Sequence, residues 1–252
     1  MRLLTLARDL GRRKAREKRS LFVAEGVRSV EELLRSDIQL RGALVAPQLC
    51  SAPRGQALLE RLKDRRLEIA EVSEKEFRSA AETESPQGVI AIGELPDRSL
   101  RTLQLPAVCR LLLLDGVQDP GNVGTIVRTA AALGATATIA LPGTVDLWNP
   151  KVIRSSMGAQ FHHPAFHATV SDVLDFIGRE KLELWAAEGS GEPFAPSDSV
   201  PRLAIAIGNE GSGLSAEIRK RAQKSISLPI AGNVESLNVA VAAGIILYEL
   251  RG

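Results

Sequence analysis

The feature that most constrains the fold is a short apolar run that ends in a cluster of glycines. Residues 205–207 are typical of a buried parallel strand, and the sequence GNEGSG begins directly after them at Gly208. Glycines at the end of a strand indicate that another group approaches the backbone closely. A second strand-like run, 225–230, leads into a long apolar helix for which Ser236 is the predicted N-cap. Two such junctions side by side predict a ligand crevice at the carboxyl ends of parallel strands.

The rest of the chain alternates short apolar runs with helical patterns, which predicts an α/β fold with a mostly parallel sheet covered on both faces. A polar, proline-bounded segment, 96–107, is the predicted linker between a small N-terminal α/β domain, 1–95, and a C-terminal domain, 108–252. The predicted strands are 21–24, 44–46, 67–72, 89–92, 110–114, 136–141, 183–187 and 203–207. The predicted helices begin at Val27, Pro53, Glu74, Val123, Pro150 and Asp172.

Composition excludes several classes of protein. The 252 residues are 44% hydrophobic and 25% charged, which is ordinary for a globular protein with a substantial core. No apolar run reaches the ~20 residues needed to span a bilayer, and the charged N-terminus lacks an apolar signal core. Cys50 and Cys109 lie far apart and have no metal-binding spacing, and with so few cysteines a reduced, cytoplasmic setting is expected. His162, His163 and His167 lie close together without a carboxylate pattern, and no metal site is predicted.

A basic run near the N-terminus suits nucleic acid. Residues 8–19 read RDLGRRKAREKR, in which positive charges outweigh the two carboxylates. Such a run is an electrostatic footprint for phosphates, but it is at least as typical of a solvated helix face. The candidate phosphate-binding residues are Arg12, Arg13, Lys14, Arg16, Lys18 and Arg19.

A further polar stretch follows the predicted strand 110–114. It reads DGVQDPGNVGTIVRT, a loop that opens a helix, where backbone amides suit an anion such as phosphate. Arg128 is expected on the same side of that helix as Gly121 and Gly124 and close to Asn122 in space. The alternative is an ordinary turn followed by a surface charge. The glycines do not follow the dinucleotide-binding pattern, and the sequence has no Walker-type phosphate loop. Another stretch, 149–159, ends in small residues that either border a cleft or make a tight helix contact.

Taken together, these stretches resemble the ordered motifs of the SpoU/TrmH branch of the SPOUT methyltransferase superfamily. The resemblance is carried by Asn122 with Arg128, by residues 208–214 and by residues 229–238. The segments 149–151 and 156–159 also resemble signature positions of the family. The match covers about 110–252, whereas residues 8–34 resemble more loosely the start of the family's N-terminal RNA-binding domain, which is similar to a ribosomal-protein fold.

The resemblance implies an α/β fold whose C-terminal segment forms a deep trefoil knot, and it implies a homodimer. It further implies S-adenosylmethionine as the methyl donor and a ribose 2′-hydroxyl of structured RNA as the acceptor, with ribosomal (23S) RNA as the expected substrate. Transfer RNA is the alternative substrate. The rival classes are a non-catalytic RNA-binding protein of the same fold and an enzyme that uses another nucleotide. No metal and no membrane are expected as partners.

Residue roles follow from the resemblance, position by position. The implied catalytic residues, which the resemblance places in an active site partly shared across the dimer, are Asn122, Arg128, Glu210, Ser236 and Asn238. The implied cofactor-binding residues are Gly208, Asn209, Gly213, Leu228, Ile230, Asn233 and Leu237. Because a guanidinium is a poor base, Arg128 is interpreted as a clamp on a phosphate or as a stabiliser of developing alkoxide charge. Proton removal is then assisted by Ser236, Glu210 or a phosphate.

Overall fold

The computed structural model describes residues 2–195, 200–231 and 236–251. The helices are α1 (Arg2–Leu10), α2 (Arg13–Arg19), α3 (Val27–Arg35), α4 (Pro53–Asp64), α5 (Glu74–Arg78), α6 (Pro120–Ala132), α7 (Pro150–Ser155), α8 (Ala159–His162), α9 (Val170–Arg179), α10 (Ala216–Arg221) and α11 (Val239–Glu249). The strands are β1 (Leu21–Glu25), β2 (Leu40–Val45), β3 (Glu68–Glu71), β4 (Val89–Glu94), β5 (Cys109–Asp115), β6 (Ala137–Ala140), β7 (Ala165–His167), β8 (Glu183–Pro193), β9 (Arg202–Gly208) and β10 (Lys224–Ser227). No helix in these ranges is long and apolar enough to cross a membrane.

The chain divides into two compact units. The first unit contains the chain up to Pro96 together with Trp148–His162. Its sheet has the order β1-β4-β2-β3, in which β4 runs antiparallel to both neighbours and only β2 and β3 are parallel. Helix α1 packs its apolar face, including Leu3 and Leu10, into a core with Phe77 and Ile92.

The segment Trp148–His162 belongs to the first unit by its packing, although the predicted C-terminal domain included it. The ring of Phe22 on β1 lies 4.5 Å from that of Trp148 and 5.8 Å from that of Phe161. Gly158 adopts a positive φ of 94°, and a Cβ at this position would lie 2.4 Å from Cβ of Glu32 on α3. For Gly158, the structure therefore favours the tight helix contact over the cleft border.

The second unit contains the predicted parallel sheet. Its six strands lie in the order β10-β8-β9-β5-β6-β7, and all neighbouring pairs are parallel, which confirms the predicted α/β class. The central strands β5 and β9 are almost entirely buried, as their continuous apolar runs predict. In their register Asp115 pairs with Gly208, so both strands end at the same edge of the sheet.

Three predicted helix starts are wrong because polar side chains cap the helices elsewhere. Helix α9 begins at Val170 rather than at Asp172, since the Thr169 side chain accepts a hydrogen bond from the Asp172 amide at 3.1 Å. Helix α6 begins at Pro120 rather than at Val123, since the Asp119 side chain accepts a hydrogen bond from the Asn122 amide at 2.7 Å. Helix α11 is capped by Asn238, which accepts from the Ala240 amide at 2.9 Å, and not by Ser236. The knot implied by the resemblance stays a prediction, since residues 232–235, which precede α11, lie outside the described ranges.

A buried histidine lies in the second unit. The side chain of His163 is within hydrogen-bonding distance of the Thr138 hydroxyl, with 2.9 Å between Nε2 and Oγ1. Arg98 donates to the His163 carbonyl oxygen at 2.6 Å. Burial, and secondarily the positive charge of Arg98, lower the pKa of His163 from 6.5 to about 4.

His163 should make the free energy of unfolding depend on pH. In the unfolded chain the imidazole binds a proton below pH 6.5, whereas in the folded chain it does so only below about pH 4. Between these values the unfolded state binds more protons, so the free energy of unfolding should fall by about 3 kcal/mol as the pH drops through this window.

Urea unfolding of the wild type and of His163→Asn at several pH values checks this expectation. His163→Asn should lose most of the decline between pH 6.5 and pH 4. The control, His162→Asn, changes a more exposed histidine and should keep the wild-type decline. Identical pH profiles for the wild type and His163→Asn would show that His163 does not cause the decline in the free energy of unfolding.

Candidate active site

The carboxyl ends of β5 and β9 are tied together by side chains from both strand ends. The Asp115 carboxylate accepts a hydrogen bond from the Ser215 amide at 2.7 Å. Asn209 Nδ2 donates to the Gly116 carbonyl oxygen at 2.9 Å. The loop after β9 is thus fixed to the loop after β5, and the two sequence motifs meet in space.

The glycine-rich loop after β9 folds back on itself. The backbones of Asn209 and Gly213 exchange two hydrogen bonds, at 3.1 and 2.9 Å, and Asn209 Oδ1 accepts from the Gly211 amide at 2.8 Å and from the Ser212 amide at 3.0 Å. A Cβ at Gly208 would lie 2.3 Å from the carbonyl carbon of Gly213. The close approach that the glycines predict is therefore an approach of the loop's own backbone.

Three polar side chains from three separate motifs form a hydrogen-bonded chain. Asn122 on α6 donates through Nδ2 to Glu210 Oε1 at 2.7 Å. Asn238, the N-cap of α11, donates through Nδ2 to Asn122 Oδ1 at 3.0 Å. Asn122 is half-buried, while Glu210 and Asn238 are exposed, so the chain of amides and carboxylate faces solvent where a substrate can reach it.

A cavity of about 620 Å³ lies beside this polar chain in the second unit. Its walls combine backbone of the glycine-rich loop with apolar side chains, as is typical of small-molecule sites. The predicted site residues that line it are Gly208, Asn209, Glu210, Gly213, Leu228, Ile230, Ser236, Leu237 and Asn238. Asn233, also predicted to bind the cofactor, lies outside the described residues.

Arg128 does not join this group within one chain. It is exposed on α6 and is absent from the cavity wall. Six positions separate it from Asn122, which is about 240° around an α-helix, so the two side chains leave the helix on different sides. Across the described ranges Arg128 makes no hydrogen bond or ion pair, which leaves its guanidinium available to another molecule.

The cavity wall also carries a charged cluster that was not predicted from the sequence. Arg219 Nε on α10 donates to Glu188 Oε2 at 2.8 Å, and the Ser225 hydroxyl donates to Glu188 Oε1 at 2.9 Å. The cluster lies where the pairing of β8 with β10 is interrupted, since pairing stops after Ala186 and resumes at Glu192. Glu188 comes directly after the predicted strand 183–187, so the rule that drew attention to residues after Ile207 could also have found it.

The predicted phosphate-binding residues of the first unit separate into two groups. Five of them are exposed on or beside α2, namely Arg12, Arg13, Lys14, Lys18 and Arg19. The prediction that Arg16 binds phosphate is wrong, because its side chain is buried at 2% exposure. It donates to the carbonyl oxygens of Leu10 and Gly11 at 2.7 and 2.8 Å and so satisfies groups at the end of α1.

Comparison with known proteins decides the family. The model of the SpoU rRNA Methylase family matches residues 110–248, more than half of the chain. The chain belongs to the SpoU rRNA methylase family. The model of the MRM3-like substrate binding domain matches residues 5–91, which lie in the first unit.

Relatives of this SpoU family member span nearly its whole length. The 23S rRNA (guanosine(2553)-2'-O)-methyltransferase RlmP of Bacillus subtilis (strain 168) is 33% identical over 246 residues, which cover 97% of this chain and 94% of the relative. The crystal structure of the SpoU methyltransferase AviRb from Streptomyces viridochromogenes, in complex with the cofactor AdoMet, has a TM-score of 0.89 at 29% identity. That match covers 98% of this chain and 96% of the other. An AdoMet-bound rRNA methyltransferase from Sinorhizobium meliloti has a TM-score of 0.85 at 28% identity. That match covers 99% of this chain and 94% of the other.

Gly208→Ala should destabilise the fold, since the added methyl group would meet the backbone of Gly213 at 2.3 Å. Displacing that backbone should lower the free energy of unfolding by about 1–3 kcal/mol. Gly189→Ala is the matched control, because a Cβ there meets no atom within 4 Å. Urea unfolding of the three proteins is the measurement, and equal losses for both variants would show that the loop tolerates the extra carbon.

Proposed function

We propose that this chain transfers a methyl group from S-adenosylmethionine to a ribose 2′-hydroxyl of ribosomal RNA. The observation that carries the proposal is the hydrogen-bonded chain of Asn122, Glu210 and Asn238 at the rim of the 620 Å³ cavity. It unites all three motifs at one place, and its polar groups are intact, which disfavours a non-catalytic RNA-binding protein of the same fold.

The cavity fits the cofactor in size and in lining. A volume of about 620 Å³ lies within the range of small-molecule sites. Leu228, Ile230 and Leu237 offer apolar walls for an adenine ring, while the backbone around Gly208 and Gly213 offers polar groups at close range. When bound there, S-adenosylmethionine supplies a methyl group activated by its sulfonium centre.

The residues of the chain position the acceptor and remove its proton. Asn122, which itself accepts a hydrogen bond from Asn238, donates to the Glu210 carboxylate at the rim of the cavity. A carboxylate accepts a proton more readily than an alcohol does, so Glu210 is a better acceptor for the 2′-hydroxyl proton than Ser236. Arg128 then stabilises the developing alkoxide or clamps a neighbouring phosphate, for which its planar fork of donors is suited.

The first unit is proposed to bind the RNA. Its match to a substrate binding domain and its five exposed cationic residues near α2 support this role. The 23S rRNA relative matches across both units, whereas a solved structure concerned with 2-OH methylation of C/U34 on tRNA covers 57% of this chain. This difference in coverage favours ribosomal over transfer RNA. The cytoplasmic location stays a prediction.

A homodimer is proposed from an apolar stripe on α11. Val241, Ile245 and Tyr248 follow one another at helical spacing and are 50%, 39% and 49% exposed. Thr129, the residue after Arg128 on α6, packs against Gly244 of α11. A Cβ at Gly244 would lie 3.4 Å from Thr129 Cγ2. A second copy seated on the stripe would therefore lie beside Arg128, and we propose that Arg128 serves the site of its partner.

Arg128→Ala should lower methyl transfer roughly 100-fold or more, because a positioned donor for developing charge is lost. Arg128→Lys should fail similarly, since an ammonium lacks the planar fork. Methyl incorporation from labelled cofactor into ribosomal RNA is measured beside cofactor binding, which should stay within about twofold. Arg101→Ala, another exposed arginine of the second unit, is the control. Near-normal turnover in Arg128→Lys would contradict the requirement for the planar fork of guanidinium donors.

Ile245→Glu should convert the dimer into monomers, because a charge in the middle of the apolar stripe opposes its burial. Val108→Glu is the matched control, since Val108 is 61% exposed and lies outside the stripe. Sedimentation equilibrium measures the mass of each protein. A monomeric wild type, or an Ile245→Glu variant that remains a dimer, would contradict the proposed interface.

A further inference from the structure

The charged cluster on the cavity wall contains an oriented guanidinium. Arg219 is held through Nε by Glu188, and Glu188 is itself held by the Ser225 hydroxyl. The Glu188 side chain is largely buried, at 20% exposure, while that of Arg219 is 48% exposed. A half-buried carboxylate with two hydrogen-bond partners restrains the guanidinium that it binds.

The guanidinium also lies against the glycine-rich loop. A Cβ at Gly213 would lie 2.8 Å from Nη2 of Arg219, so the guanidinium packs closely against the glycine. Gly213 has a positive φ of 67°, which also favours glycine at this position. Arg219 and the loop backbone thus form one continuous part of the cavity wall.

The two terminal nitrogens of Arg219 remain available for a ligand. Across the described part of the chain they make no hydrogen bond, since the contact with Glu188 uses Nε. Arg219 is also the only cation among the described residues that line the cavity. A planar pair of N–H donors beside a cavity matches a carboxylate in a two-pronged arrangement.

We propose that Arg219 binds the carboxylate of the amino-acid end of the cofactor and that Glu188 is its positioning residue. This inference rests on the proposed function, because it takes S-adenosylmethionine to be the ligand of the cavity. The methionine carboxylate is the one anionic group of that molecule. Recognition by Arg219 would distinguish the complete cofactor from adenosine thioethers that lack the amino acid.

Two ligands test the subsite by binding alone. S-Adenosylhomocysteine and 5′-methylthioadenosine are both adenosine thioethers, and only the first carries the amino-acid end. Calorimetry with wild-type protein should show a clear preference for S-adenosylhomocysteine. In Arg219→Ala and Arg219→Gln, affinity for S-adenosylhomocysteine should fall roughly 10- to 100-fold, as expected for a lost charge-assisted pair. Affinity for 5′-methylthioadenosine should change less than about twofold.

Two further variants separate orientation from charge. Glu188→Gln should weaken S-adenosylhomocysteine binding selectively, because Arg219 loses its ionic anchor. Lys220→Ala, which removes a neighbouring exposed cation outside the cavity wall, should leave both affinities unchanged. Thermal unfolding of each variant confirms that the fold persists.

The outcomes that overturn the subsite differ from those that overturn the proposed function. If the Arg219 variants bind both ligands more weakly by the same factor, Arg219 only shapes the cavity. Unchanged binding of both ligands would show that it is only an ion-pair partner of Glu188. If wild-type protein binds neither ligand, the proposed function fails, and the subsite fails with it.

Discussion

The geometry of the site depends on one close contact between backbone segments at the end of β9. Without a side chain at Gly208, the backbone of Gly213 can return to the strand end, where a Cβ would lie 2.3 Å from its carbonyl carbon. Asn209 then closes the loop through its own backbone and joins it to Gly116. This return brings Glu210 to Asn122 and leaves a cavity beside the loop. A larger residue at Gly208 would separate these groups.

Local patterns were sufficient to predict much of this architecture. The apolar runs that became β5 and β9 indicated buried parallel strands, and α3 begins at the predicted Val27 because apolar positions recur at helical spacing from there. The polar chain of Asn122, Glu210 and Asn238 unites residues that the family resemblance had grouped. Its members lie 88 and 116 positions apart in the chain, so spacing alone could not have joined them.

The features that escaped prediction depend on partners distant in the fold. Arg16 lies in a basic run, yet it is buried because α1 ends nearby with carbonyl groups that need donors. Trp148 lies within the methylase sequence, yet its ring packs on Phe22 of the first unit. Glu188 and Arg219 lie 31 positions apart in the chain and meet where the pairing of β8 with β10 is interrupted. In each case the sequence shows the residue but not the group that it will contact.

The central claim is methylation of a ribose 2′-hydroxyl in ribosomal RNA, and nucleoside mass spectrometry tests it most directly. Large-subunit ribosomal RNA is isolated from cells with this protein, from cells lacking it, and from cells that express Arg128→Ala in its place. Each RNA is then digested to nucleosides. The account predicts that one 2′-O-methylated nucleoside disappears without the protein, returns with the wild type and does not return with the variant. Unchanged ribose methylation of this RNA, or a lost methyl group carried on a base, would contradict it.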